Sequence, residues 1–375
     1  MSKRANGEGN IRKRQDGKWE GRYVYQGKRH SVYGRTQAEV RKKLTEAQAQ
    51  IDGGAYIAPS KITVAEWGKT WLSDCLHGKN QETVSSYETK LRLHIVPAIG
   101  DKRLTELKPI VITHFYNQLQ DKGLSDKTIV CIHGALHKMI QDAVTNEIIK
   151  ENVCDKVHPP KTNKVKKEMH PLKDKQVSVF LEAIKGNGME HLFFTALFTG
   201  ARESELIGLT WDCIDFERGT IHLYRQLKRD RSRKEYVFTS LKNRESRTFA
   251  PPASVIKALK AVKRQQAEWQ LKAGESWHNP DNLVFTNEIG ERLSTRTVYR
   301  AFKKIVDGMG LHEVRLHDLR HTYSVLALQN SMDYKTLSNN LGHATVAFTM
   351  DVYGHVSETM MQNGAEKLQR FIESL

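Results

Sequence analysis

Five side chains, far apart in the chain, share an aptitude for chemistry on a phosphodiester. Arg202 lies in TGARESEL, His317 and Arg320 in HDLRH, and His343 and Tyr353 in LGHATVAFTMDVYGHV. A guanidinium is a planar fork of donors that matches two phosphate oxygens at once. Histidine moves protons near neutral pH. A tyrosine hydroxyl becomes a nucleophile once its proton is taken and its developing charge is stabilised. No acidic cluster suggests a magnesium site, so metal-free phosphoryl transfer is the natural chemistry for the set, with no cofactor. Singly these residues are ordinary: an arginine in a helix usually makes an ion pair, and a histidine or tyrosine beside an apolar face usually packs. Their occurrence together carries the inference.

The elements that must position them fall into segments. Residues 1–57 read as a small three-stranded β-sheet plus a helix. Asp16-Gly17 and Gln26-Gly27 are turn signals between short runs holding Trp19, Tyr23 and Tyr25. Thr36 and Glu39 form a capping box, after which Val40, Leu44, Ala47 and Ile51 share one helical face, until Gly53-Gly54. This segment is crowded with cations, among them Arg12, Lys13, Arg14, Lys18, Arg22, Lys28 and Arg29. A basic, aromatic sheet could lie in a DNA groove, although a solvated charged surface would read the same way.

Residues 58–157 are expected to form an all-α bundle. A second capping box, Thr63 to Glu66, opens a helix carrying Trp67 and Trp71, and Ser125 is a plausible N-cap. Leu91, Ile95, Ile110, Phe115, Leu119, Leu136, Met139, Ile140 and Val144 recur at helical spacings and are read as core. Residues 158–169, with Pro159-Pro160 and then Lys161, Lys164, Lys166 and Lys167, read as a basic linker able to follow a DNA backbone. Residues 170–375 mix helices with a small antiparallel sheet: MEHLFFTALFTG is an apolar helix stopped by Gly200, and strands are expected at 219–223, 235–238 and 248–250. Further helices are expected near 252–272, 294–307, 317–329 and 334–341. Arg202 is placed just inside a helix, and His317 and Arg320, three apart, on one helical face. The fold class is thus multidomain α+β.

The 375 residues carry a formal net charge of +16 and a pI near 9.5, a balance that favours a polyanionic partner such as nucleic acid. Cys75, Cys131, Cys154 and Cys213 are widely separated, and no CxxC pair suggests a zinc finger or disulfide framework. No apolar run is long enough to span a membrane, and MSKRANGEGN lacks a signal-peptide core, so a cytoplasmic location is expected.

The motifs resemble those of the tyrosine recombinase family, whose patterns TGxRxxEL, HxLRH and LGHxxxxxTxxxYxH occur here in order. LRLHIVPAIGDKRL is similar to the core-binding domain of phage and conjugative-transposon integrases, and GEGNIRKRQDGKWEGRYVYQGKRHSVYG to their arm-binding domain. The resemblance implies that Tyr353 attacks the scissile phosphate to give a 3′-phosphotyrosine. Arg202 and Arg320 would hold the non-bridging oxygens, His317 would assist proton movement at the tyrosine, and His343 would donate to the phosphate. It also implies a lysine acid in a hairpin turn. Lys242, in SLKNRESRT, matches best, with Lys228 and Lys234 as competitors in a basic stretch that otherwise reads as a solvated loop. Glu205, one turn from Arg202, would orient it, or make a simple helix ion pair. Double-stranded DNA at core and arm sites and a homotetramer are the implied partners, with an excisionase or DNA-bending protein as an accessory. Val356, Met360, Met361, Ala365, Leu368 and Phe371 could form an apolar stripe that packs on a neighbouring subunit, as family tails often do. Two departures stand out: Ala201 replaces the commoner leucine, and Phe348 stands where a small hydroxyl residue is usual.

Three other readings compete. HDLRH is similar in spacing to a zinc helix, but Asp318 is a methylene short for that motif and Arg320 would set a cation beside the metal. A non-catalytic DNA-binding regulator would not need the five residues together. A type IB topoisomerase shares the chemistry, but the arm-like N-terminal segment argues for integration.

Overall fold

The computed structural model describes residues 10–53, 60–161, 169–230, 235–241, 246–354, 369 and 372–373. Two compact units make up the chain, Met1–Lys164 and Val165–Leu375.

In the first unit, β1 (Asn10–Lys13), β2 (Trp19–Tyr25) and β3 (Lys28–Gly34) form an antiparallel sheet in the order β1-β2-β3. Strand alternation sends Trp19, Tyr23 and Val32 toward α1 (Gln37–Asp52), where they meet Val40, Leu44 and Ala47. Thr36 caps α1 by accepting from the Glu39 amide at 3.2 Å, but the Glu39 carboxylate reaches back to the Arg35 amide, so the box closes one residue early. The Thr63–Glu66 box is complete, with both reciprocal bonds formed.

That box opens α2 (Val64–Thr70), followed by α3 (Gln81–Lys90), α4 (Val96–Ile99), α5 (Pro109–Asp121) and α6 (Asp126–Thr145). Two wider π turns, Trp71–Cys75 and Leu91–Ile95, extend α2 and join α3 to α4. Trp67 and Trp71 are buried, and each indole N–H finds an acceptor on α6: the Met139 carbonyl at 2.9 Å and the Asp142 carboxylate at 2.7 Å. Ser125 caps α6 as expected. Ile110 does not join this core; it is 69% exposed. Pro109 starts α5, which puts Ile110 on the outer side of the first turn, while Ile112, Phe115, Tyr116 and Leu119 face inward.

The second unit contains α7 (Asp174–Ile184), α8 (Glu190–Thr199), α9 (Glu203–Leu206), β4 (Ile214–Asp215), β5 (Thr220–Leu223), β6 (Arg225–Arg229), β7 (Tyr236–Ser240) and β8 (Arg247–Phe249). Then come α10 (Ala253–Ala273), α11 (Thr295–Gly308), α12 (Asp318–Gln329), α13 (Tyr334–Leu341) and α14 (Val346–Tyr353). Among the described residues there are two small antiparallel sheets, β4-β5-β8 and β6-β7, where the sequence suggested one. The unforeseen strands are the two-residue β4 and β6, the latter in the stretch read as a solvated loop. Only Leu227 gives β6 an apolar anchor; Gln226 is buried through bonds with Ser204 and the Ser240 carbonyl, and Arg225 stacks on Phe238 at 4.2 Å. Strand alternation written in arginine and glutamine is invisible to a hydrophobic pattern.

Candidate active site

Two glycines deliver the site's backbone. Gly200 ends α8 and Gly342 ends α13, both in the left-handed region, at φ 61° and 64°. A Cβ at Gly200 would lie 2.5 Å from the Tyr323 ring, and one at Gly342 would lie 2.9 Å from a guanidinium nitrogen of Arg247. Arg202 follows the first glycine and His343 the second. Because Gly200 halts α8 and the chain runs extended through Arg202, this arginine is the N-cap of α9 rather than a residue inside a helix.

The last carbonyls of α13 have no partners within the helix and carry its negative dipole end. Three consecutive ones each accept from a different arginine. Asn340 O accepts from Arg247 Nε at 2.8 Å, Leu341 O from Arg320 Nη2 at 2.6 Å, and Gly342 O from Arg202 Nη2 at 3.1 Å. Arg320 also donates to Gly200 O at 2.8 Å, which ties the two glycine turns together. Arg320 is 4% exposed; burial, and then the charge of Arg202, bring its pKa down to about 9, which leaves it protonated at neutral pH.

Glu205 is fully buried beneath these arginines. Its Oε1 accepts from Arg202 Nη1 at 2.8 Å and Arg247 Nη1 at 3.0 Å; its Oε2 accepts from the Arg202 amide at 2.8 Å and Arg247 Nη2 at 2.6 Å. Burial pushes the carboxyl pKa up, but Arg247 and then Arg202 outweigh it and hold it at about 2. Glu205 therefore serves two arginines, more than a pairing within one helix.

His343 is partly buried, with Nδ1 2.8 Å from the hydroxyl of buried Thr349 and its ring perpendicular to Phe348 at 4.9 Å between centroids. The unusual Phe348 thus braces this ring. Burial, then the charges of Arg320 and Arg202, lower the His343 pKa to about 3. The ring is neutral at pH 7, and its Nδ1 shares a hydrogen bond with the Thr349 hydroxyl.

Tyr353 ends α14 and is 2% exposed. Its hydroxyl lies 2.6 Å from Nδ1 of His321. Burial raises the tyrosine pKa against a hydrogen bond with Ser324, while burial and then His317 lower that of His321 to about 4. At neutral pH the pair is therefore an un-ionised phenol hydrogen-bonded to a neutral imidazole. His317 packs edge-on to His321, with centroids 5.1 Å apart and planes at 89°. It keeps a solvent-facing edge, yet surrounding protein and then Arg320 hold its pKa below the ordinary histidine value. Asp318 is engaged by Arg315 through three bonds of 2.8–3.0 Å.

The structure thus gathers Arg202, Glu205, Arg320 and His343 around one helix end, and sets His321, rather than His317, on the Tyr353 hydroxyl. Lys242 and Lys234 lie outside the described residues, as do Lys164 and the tail residues Val356, Met360, Met361, Ala365, Leu368 and Phe371. Sequence reasoning passed over Arg247, and took up His321 only as the partner of His317 in the zinc-helix spacing. Both sat inside strings already singled out, SLKNRESRT and HDLRH, but neither has its partner nearby in sequence.

On the N-terminal sheet, Lys13, Arg14, Lys18, Lys28 and Arg29 are exposed, as is Lys161 beyond the helical bundle. Arg12 and Arg22 flank Glu20, with nitrogen–oxygen distances of 2.6 and 3.1 Å, and Ser31 donates to the same carboxylate at 3.0 Å.

The phage integrase family matches residues 170–360, and the phage integrase N-terminal SAM-like domain matches residues 63–120. A XerC-like tyrosine recombinase of Caldanaerobacter subterraneus is 30% identical over 356 residues, covering 91% of each chain. The ICEBs1 integrase of Bacillus subtilis is 30% identical over 337 residues, covering 88% of each. Among solved structures, the Tn1549 transposon integrase in complex with transposon right end DNA shares the fold, with a TM-score of 0.68 at 21% identity over 81% of this chain and all of that one. A lambda integrase tetramer bound to a Holliday junction aligns with a TM-score of 0.57 at 17% identity over 92% of this chain and 96% of that one. The chain belongs to the phage integrase family and is a tyrosine recombinase of the integrase type, an enzyme of site-specific recombination that cleaves and rejoins DNA.

Proposed function

We propose that the chain integrates and excises a mobile element, with the scissile phosphate bound at the end of α13 and attacked by Tyr353. The observation that carries this reading is the convergence of Arg202, Arg320 and neutral His343 on one helix end, ten residues before a buried tyrosine hydroxyl. Arg202 and Arg320 take the non-bridging oxygens, and His343 adds a third donor. The phenolic oxygen of Tyr353 bonds to phosphorus, and the bond to the 5′ oxygen breaks. The tyrosine proton leaves through histidine, for which His321 is placed and His317 is its neighbour, and Lys242 protonates the departing 5′ oxygen. A 5′-hydroxyl of a second strand reverses these steps and frees the enzyme. The arginines stabilise the charge that builds on the phosphorane, so no step calls for a metal.

Residues 1–57 are proposed as the arm-type DNA-binding domain, 58–157 as the core-binding domain, 158–169 as the basic linker and 170–375 as the catalytic domain. Arg12, Lys13, Arg14, Lys18, Arg22, Lys28, Arg29, Lys161 and Lys164 would meet DNA. Support for double-stranded DNA and a tetramer comes from relatives solved on transposon-end DNA and on a Holliday junction. An excisionase or DNA-bending protein would act through the DNA arms.

The test is a denaturing gel after incubation with a nicked duplex spanning the repeat that bounds the encoding element. The expected result is a DNA-linked band from the chain and none from Tyr353→Phe, which binds the same duplex. A persistent adduct in Tyr353→Phe would remove Tyr353 as the nucleophile.

A further inference from the structure

We propose that Arg247 is a positioning residue of the phosphate pocket: it fastens Glu205 to the end of α13 and thereby sets the geometry of Arg202 and His343. The proposal rests on the recombinase chemistry given above. Arg247 opens β8 and is held at its backbone by pairing with Leu223 on β5. Its side chain is 8% exposed, so it is not a surface cation waiting for DNA. The guanidinium meets both Glu205 oxygens in a two-point fork, and its remaining Nε–H goes to Asn340 O. One rigid plane therefore spans α9 and α13. Gly342 records the closeness of the fit, since any Cβ there would press on Arg247.

Each neighbour of Arg247 in turn controls a residue aimed at the phosphate. Glu205 holds Arg202 by its side chain and its amide. The α13 end supplies the carbonyls for Arg202 and Arg320 and leads directly into His343. A buried ion pair is weak evidence for stability, because well-packed apolar residues often serve as well. A geometric role explains better why a charged fork stands here. The charge count agrees: three guanidiniums against one carboxylate leave two positive charges, matching the two negative charges that attack on a phosphodiester places on the phosphorane. Arg247 also follows Lys242 by five residues, so the strand that roots the connection bearing the general acid is pinned to the phosphate pocket.

The experiment measures single-turnover adduct formation on the nicked duplex described above, across pH, for Arg247→Met, Arg247→Lys, Glu205→Gln and Arg247→Met/Glu205→Gln. Arg247→Met should slow the reaction by about 10²-fold, the scale of a small misplacement, with duplex binding within about threefold. The charged groups facing Glu205 are Arg202, Arg247 and Arg320, and Arg247 contributes most to keeping it ionised. Its loss should therefore move the acidic limb of the rate profile to higher pH, and adding Glu205→Gln should abolish that movement. Arg247→Lys keeps the charge without the fork; it should fold and react about tenfold slower than the wild type. The proposal is overturned if Arg247→Met or Arg247→Lys reacts at the wild-type rate, or if Arg247→Met is slow with an unmoved pH profile, as a purely structural residue would be. Should Arg247→Met fail to fold, the Arg247→Lys rate decides. Absence of an adduct from the wild type would instead defeat the recombinase chemistry itself.

Discussion

The same motif, a carboxylate between two arginines, occurs at Glu20 on the N-terminal sheet and at Glu205 beneath the phosphate pocket. Both carboxyls are held near pKa 2 by their arginines. The arginines differ: Arg12 and Arg22 are 55% and 39% exposed, while Arg202 and Arg247 are 25% and 8% exposed. Glu20 is covered by its own partners at the surface, not sunk in the protein, so water and salt screen its pairs. Glu205 lies where the dielectric is low and its pairs cannot be re-formed with water. The acidity of a carboxyl therefore does not report how firmly it holds its partners. The arginines on the sheet are aimed by Glu20 at the protein's surface; those in the pocket are fixed in its interior.

The sharpest way to break this contrast is to remove the buried anion. Glu205→Ala leaves Arg247 buried without a counter-charge, and losing one partner of such a pair costs about 3–5 kcal/mol. Thermal denaturation should show a large fall in stability, and the nicked-duplex assay should show no adduct. A variant as stable as the wild type would mean the pocket is open to water. Next in size, Arg202→Ala or Arg320→Ala should lower adduct formation by about 10²–10³-fold, the cost of an oxyanion-type contact. Full cleavage by either would move the phosphate elsewhere.

A smaller effect is expected from His321. Its folded pKa, about 4, lies below the ordinary value of 6.5, so on acidification the unfolded chain takes up the proton first. This contribution to stability is complete above pH 6.5 and is lost as the pH falls toward 4. Urea midpoints measured across that window should decline less steeply for His321→Gln than for the wild type. Parallel declines would show that His321 is not held neutral against Tyr353.

How much of this was legible in sequence follows from the range of each interaction. The Thr63–Glu66 box and the Gly200 stop act within four residues, and so they could be read directly. Arg202, Arg320, His343 and Tyr353 could be singled out as candidates because their types and order form a set. Ile110 failed because a helical period says which residues share a face but not where Pro109 starts the first turn. β6 failed because Leu227 is its one apolar residue, too little for a hydrophobic pattern. Arg247 and His321 failed for a different reason: their partners, Glu205 and Tyr353, are 42 and 32 residues away, and only the fold brings them together.

The smallest predicted effect returns to the surface pair. Glu20→Gln keeps the side chain's shape and its bond from Ser31 but removes the charge that aims Arg12 and Arg22. Two consequences should diverge. The sheet becomes one charge more positive, so affinity for arbitrary duplex DNA should rise slightly and its salt slope should steepen by about one. At the same time the arginines lose a fixed orientation. Two-point reading of a guanine edge requires that orientation, and ordering a long side chain on binding weakens the complex by about 2–10-fold. Preference for the arm repeat over a scrambled duplex should fall by about that factor, while cleavage of a short core duplex stays unchanged. Fluorescence anisotropy against both duplexes, at two salt concentrations, separates the terms. Unchanged preference with a steeper salt slope would leave Glu20 as a charge-balancing residue only. A loss of adduct formation on the short duplex would mean that the two carboxylates are less different than their exposures imply.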